Sequence, residues 1–222
     1  MSNSQDLINR YLFQEIELFG PDIYLDNKSQ KQTLKAEYES LEAFESEINS
    51  CQKCSLGGSR KSFVFGVGDP NAELLLIGEA PGEEEDKLGQ PFVGRAGKLL
   101  DKILAAIGRS RQKGVYICNV LKCRPPDNRD PLPTEIEECE PYLQEQIKLI
   151  NPKIIVALGR VAGKTLLKQD LPLNKMRGKR HSYFNTELIV TYHPAALLRN
   201  ESFKRPTWED FKLVRSILDE GI

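Results

Sequence analysis

No run of apolar residues in this 222-residue chain approaches the roughly 20 needed to span a bilayer, so no membrane partner is expected. The opening MSNSQDLINRYLFQE lacks the charged, apolar and small-residue order of a secretory leader, which leaves the cytoplasm as the expected location. There is no internal repeat and no low-complexity tract, excluding solenoids and linker-like chains. Histidine is scarce, with two in all and none between Ser2 and Arg180. Nor does one sign of charge dominate: 31 Lys and Arg face 32 Asp and Glu, a net of −1. That balance is uneven along the chain. Residues 1–50 hold ten acidic and four basic side chains, a net of −6, which leaves +5 for residues 51–222. A mildly basic body permits phosphate binding without demonstrating it.

With 40% hydrophobic and 28% charged residues, the chain has the composition of a globular protein and the length of one well-buried domain plus an extension. From about residue 71, short runs rich in Leu, Ile and Val alternate with amphipathic stretches, the pattern of βα units around a parallel sheet. Strands are expected at Glu73–Ile77, Val115–Val120, Lys153–Leu158 and Leu188–Tyr192. Their unbroken apolar character suits strands covered on both faces, giving a three-layer α/β/α fold with a central four-stranded parallel sheet. Gly97–Ile107 puts Leu99, Leu100, Ile103, Leu104 and Ile107 on one helical face, and Thr134, with Glu137 three residues later, reads as the N-cap of a helix ending at Ile150. Glu39–Ser50 reads as a short helix, and RPPDNRDPLP (124–133), with four prolines, as a rigid irregular connection.

In an open parallel sheet, ligands bind beyond the carboxyl ends of the strands. Here those ends carry GEAPGEEED (78–86), Asn119, Gly159 and His193-Pro194, so a carboxylate, an amide and an imidazole are expected to converge on one cleft. The segment GRVAGKT (159–165) is one residue too short between its glycines for a triphosphate-binding loop. It is read instead as a helix N-terminus facing a DNA phosphate.

Five cysteines in a chain without an export signal are not expected to pair as disulfides. Cys51 and Cys54 form a C-x2-C clamp, and Cys123 and Cys139 can complete four-thiolate ligation of either zinc or an iron-sulfur cluster. Cys118 lies inside a strand and is expected in the core.

Four segments, GEAPGEEEDKLGQPFVGRAGKLLD, YICNVLKCRPPDNRDPLP, PKIIVALGRVAG and TYHPAALLRN, closely resemble in order and spacing the family 4 uracil-DNA glycosylases, the bacterial and archaeal type with a 4Fe-4S iron-sulfur cluster. The resemblance covers about residues 41–219; it divides the chain into an acidic extension (1–40) and a glycosylase domain (41–222). It implies that Cys51, Cys54, Cys123 and Cys139 hold a structural 4Fe-4S cluster, and that the substrate is uracil-containing DNA, single- or double-stranded, handled by a monomer. Glu79 and His193 become catalytic. Gly78, Ala80, Glu85, Phe92 and Asn119 become the base pocket, and Leu197, Leu198 and Arg199 meet DNA. Ala80 stands where more distant uracil glycosylases have a water-activating aspartate, which leaves that part to Glu79 or to an ordered water.

The roles follow the chemistry of a flipped base. By the resemblance Phe92 stacks on the ring and Glu85 sits at the C5 side, where it obstructs a thymine methyl, while the Asn119 amide can donate to uracil O4 and accept from N3–H. His193 donates to the negative charge developing on O2. Leu197, or Leu198 in its place, wedges into the vacated stack. Arg199, Lys204, Arg205, Lys175, Arg177, Lys179 and Arg180 are candidate phosphate contacts. Relatives that trap uracil-DNA covalently use a histidine in a KRRIH-like insertion; this chain has NRDPLP there, which argues against trapping. A non-enzymatic cluster-bearing nucleic-acid module would need the cysteines but not Glu79, Asn119 or His193, and a redox protein has no support beyond the cysteines.

Overall fold

The computed structural model describes residues 36–220. All belong to one compact unit. Residues 1–35, most of the expected acidic extension, lie outside the described residues.

The order of elements is α1 (Leu41–Ile48), α2 (Leu56–Ser59), β1 (Val67–Gly68), β2 (Leu74–Gly78), α3 (Glu83–Leu88), α4 (Arg95–Ala106), β3 (Val115–Asn119), α5 (Pro133–Ile150), β4 (Ile154–Leu158), α6 (Arg160–Leu167), α7 (Leu173–Met176), β5 (His181–Tyr183), β6 (Thr186–Thr191), α8 (Pro194–Arg199) and α9 (Lys204–Asp219). The sheet runs β1-β3-β2-β4-β6-β5. Its inner four strands are parallel, as the apolar runs predict, while β1 and β5 pair antiparallel at the edges. The sheet therefore has six strands rather than four. The two additions are two and three residues long and only partly buried, so no periodicity marks them; pairing to a neighbour makes them strands.

Every residue of β2, β3 and β4 is buried, and alternate side chains feed two cores. Leu75, Ile77, Cys118, Ile155 and Ala157 pack with Leu143 and Ile147 of α5 and Phe44 of α1. Leu74, Leu76, Ile117, Val156 and Ile189 pack with Leu100 and Leu104 of α4 and Phe211 and Val214 of α9. This is the three-layer arrangement, with Cys118 in the core as expected.

One local expectation fails. Helix α5 starts at Pro133, not after Thr134, because Glu135 rather than Thr134 satisfies the helix start. Its carboxylate accepts the Leu132 N–H at 2.8 Å and pairs with Arg129 at 2.6 Å, and proline at the first helical position has no N–H to satisfy. No helix among the described residues is long and apolar enough to cross a membrane.

The chain passes from β2 across one face to β3, then back across the other face to β4 on the far side of β2. The strand order thus reverses between β2 and β4, where open α/β sheets present a crevice.

Candidate functional site

A cavity of ≈ 760 Å³ opens at that reversal, lined by Glu79, Ala80, Glu85, Phe92, Asn119 and His193, with Arg199 at its margin. The strand register brings these residues together: Gly78 pairs with Asn119, and Leu158 with Thr191, two residues before His193. Gly78 lies directly beneath the site. A Cβ there would come within 2.3 Å of Asn119 Oδ1 and 2.8 Å of the Phe92 ring, so only glycine lets amide and ring approach. Gly159, at φ +99°, similarly makes room for His193, whose Cβ would lie 3.0 Å from an added methyl.

Phe92 is buried and adopts φ 55°, a left-handed conformation that costs a bulky residue about 1–3 kcal/mol. Two charged side chains hold it there. Arg111 donates to the carbonyls of Pro91 (2.9 Å) and Phe92 (2.6 Å), and Glu85 Oε1 accepts the N–H groups of Val93 (3.0 Å) and Gly94 (3.3 Å). The Phe92 ring stacks on His193 with centroids 5.4 Å apart and planes 28° from parallel. Glu85 therefore positions the aromatic loop as well as lining the cavity.

The His193 Nδ1 accepts the Ala195 N–H at 3.1 Å, which leaves the proton of the neutral ring on Nε2. Burial, reinforced by the charge of Arg199, lowers the imidazole to about 4. At neutral pH His193 is thus an uncharged Nε2–H donor, fixed in tautomer by the first turn of α8.

Glu79 is the other perturbed group. Burial and the charge of Asp130 raise its carboxyl to about 7, against the opposing pull of Arg160. Asp130 and Arg160 pair across the rim at 3.1 Å, joining the proline-rich connection to the start of α6. Neither residue of this pair is marked by the sequence pattern, since its partners lie 30 positions apart on different elements.

The two wedge candidates separate clearly. Leu197 is 2% exposed and packs inward, whereas Leu198 is 43% exposed beside the cavity-lining residues of α8, so burial removes Leu197 from the surface. Of the candidate phosphate contacts, Arg177 is bound to the buried Asp210 at 2.9 Å, Arg180 to Glu220 at 2.7 Å, and Lys204 pairs with Glu201 at 2.5 Å. Arg199, Arg205, Lys175 and Lys179 remain exposed.

A second, smaller cavity on the α5 side is lined by all four of Cys51, Cys54, Cys123 and Cys139. Cys51 and Cys54 come from the loop after α1, Cys123 from the connection after β3, and Cys139 from α5. Donors already face the sulfurs: Tyr142 Oη donates to Cys51 at 3.2 Å, Arg60 Nη1 to Cys123 at 3.3 Å, and the Lys122 N–H to Cys139 at 3.4 Å. Burial pushes the Cys139 thiol up to about 12 and raises that of Cys123, so neither is a thiolate without a cation to compensate. Among the described residues, no three His, Cys, Asp or Glu are grouped as around a single metal ion. Four thiols lining one cavity are the donor set of either zinc or an iron-sulfur cluster.

A sequence model of the Uracil DNA glycosylase superfamily matches residues 65–212. The chain is 47% identical to a type-4 uracil-DNA glycosylase of Sulfurisphaera tokodaii, over 81% of this chain and 85% of that protein. It is 44% identical to the type-4 uracil-DNA glycosylase of Archaeoglobus fulgidus, over 79% of this chain and 92% of the relative. For that of Saccharolobus solfataricus the identity is 43%, over 81% and 87%.

Proposed function

The chain belongs to the uracil DNA glycosylase superfamily, and from that premise we propose that it excises uracil from DNA by hydrolysing the N-glycosidic bond, leaving an abasic site. The observation that carries this reading is the meeting of Phe92, Asn119 and a neutral, Nε2-protonated His193 with Glu79 in one cavity at the strand reversal.

A base inside a duplex is out of reach of these groups, so the nucleotide is extruded into the cavity. Phe92 supplies the stacking face. The Asn119 carboxamide donates to O4 and accepts from N3–H; cytosine presents the opposite polarity at both positions, leaving buried groups unpaired. Glu85 bounds the C5 side. As the glycosidic bond lengthens, negative charge grows on O2, and the His193 Nε2–H donates to it. Because the ring is neutral beforehand, its donor strength is available without a proton transfer, and such focused donors contribute about 3 kcal/mol. Ionised Glu79 stabilises the positive sugar and holds the attacking water, the part that Ala80 leaves vacant. Leu198, the exposed leucine, takes the wedge position, and Arg199 meets a flanking phosphate.

We assign Cys51, Cys54, Cys123 and Cys139 as ligands of a 4Fe-4S cluster, which when bound ties α1, the proline-rich connection and α5 into one rigid rim. The chain acts as a monomer on single- or double-stranded uracil-DNA. Residues 41–222 form the glycosylase domain and residues 1–40 an acidic extension.

The test is a strand-nicking assay with anaerobically purified protein, an end-labelled oligonucleotide carrying one uracil, and hot alkali to cut abasic sites. Cleavage at the uracil alone, lost in His193→Ala, is the expected result. Uracil-DNA that is bound but never cleaved would overturn the catalytic reading in favour of a binding module.

A further inference from the structure

One charged side chain lies outside both cavities yet touches the residues of each. Lys122 is 0% exposed, immediately after Leu121 and before Cys123. Its ammonium donates to the backbone carbonyl of Asn119 at 2.8 Å and to Gln146 Oε1 at 2.6 Å, and Gln146 is itself held through Nε2 by the Phe65 carbonyl at 3.0 Å. The backbone N–H of the same lysine reaches Cys139 Sγ at 3.4 Å. Both partners of the ammonium are neutral. Among the described residues, no carboxylate pairs with it, although 16 other ion pairs form.

Removing an ammonium from water costs several kcal/mol, and two neutral acceptors repay only part of that. An anion on the same side of the sheet would offset the remainder, and the thiol cavity, once its cysteines ligate the cluster, would provide one. Four thiolates outnumber the positive charge of an iron-sulfur core, so the assembled centre is negative overall.

We infer that Lys122 is the positioning residue that couples the cluster to the base-reading site: its charge offsets the cluster, while its ammonium fixes the strand end from which Asn119 projects. This rests on the cluster assignment above. The geometry gives the coupling a direct path, from Cys139 through Lys122 to the Asn119 carbonyl. Cys123, the next residue, binds the same centre, so movement of the cluster loop is carried to the pocket.

The experiment uses anaerobically purified holoenzyme with iron content measured first. In Lys122→Met, iron content persists, the cluster's midpoint potential moves to more negative values because a nearby cation no longer favours the reduced form, and kcat/KM for uracil falls about tenfold or more. Discrimination against cytosine narrows at the same time. Lys122→Arg moves the potential back toward the starting value. Gln146→Glu keeps the lysine but gives it a carboxylate, and its potential also falls; this variant decides the matter if Lys122→Met fails to fold. Unchanged potentials in iron-loaded variants overturn the coupling while leaving the cluster assignment intact. Wild-type protein without iron overturns the assignment itself, and this inference with it.

Discussion

Glu79 and His193 face the same cavity and both act in their deprotonated forms, yet burial moves their titrations in opposite directions. Desolvation penalises the charged form of both: it lowers the imidazole to about 4, keeping His193 neutral, and raises the Glu79 carboxyl to about 7. A carboxyl with a raised value is protonated below it and ionised above it. If ionised Glu79 is the active form, kcat/KM rises with pH through about 7, while His193 adds no limb in that range. Asp130→Asn removes a neighbouring negative charge, so the limb moves to lower pH, and Arg160→Met moves it higher; a pH–rate profile on uracil-DNA checks both shifts. A limb unmoved by either change would detach Glu79 from the rate. His193→Ala should lower uracil release at least about 100-fold with the circular dichroism spectrum unchanged. Glu79 and His193 are legible in the sequence as strand-end residues. Their perturbed protonation is not, because it depends on burial and on Asp130 and Arg160, which approach only in the folded chain.

Short elements rather than long ones carry the precision of the site. The loop holding Phe92 in a left-handed conformation is gripped by Glu85 of α3, by Arg111 and by the start of α4, where a Cβ on Gly97 would lie 1.7 Å from the Phe92 carbonyl oxygen. Gly97→Ala must therefore displace that loop, and the expected result is a lowered melting temperature together with weakened uracil binding, measured by thermal melting and by KM. Helix α8 allows a sharper comparison. Leu197→Ala removes a buried side chain and should cost about 2–5 kcal/mol of stability. Leu198→Ala should leave the melting temperature in place and slow excision from duplex more than from single-stranded DNA, since only a duplex leaves a stack to fill. An equal fold-loss on both substrates would remove Leu198 from the wedge role. The HPAALLRN pattern offers two adjacent leucines and leaves the choice open; the packing of α8 assigns their surfaces.

Across the whole molecule, the thiol cavity links elements separated by 88 residues between Cys51 and Cys139 and faces the side of the sheet on which α5 packs. Cys123→Ala should abolish the brown colour and the bound iron and lower the melting temperature, as measured by iron analysis and thermal unfolding; a colourless parent protein with stoichiometric zinc would overturn the cluster assignment. The inner sheet, its four parallel strands, the two-sided core and the set of strand-end residues were determined by the sequence alone. Local rules suffice there: continuous apolar runs demand cover on both faces, and residues just past parallel strands must share one edge. The strand order, the edge strands β1 and β5, the inward turn of Leu197 and the bridge of Asp130 to Arg160 were decided only by the tertiary structure. So was the burial of Lys122 between Asn119 and the thiols. These features depend on contacts between residues distant in the chain, where pairing geometry and desolvation act and local pattern is silent.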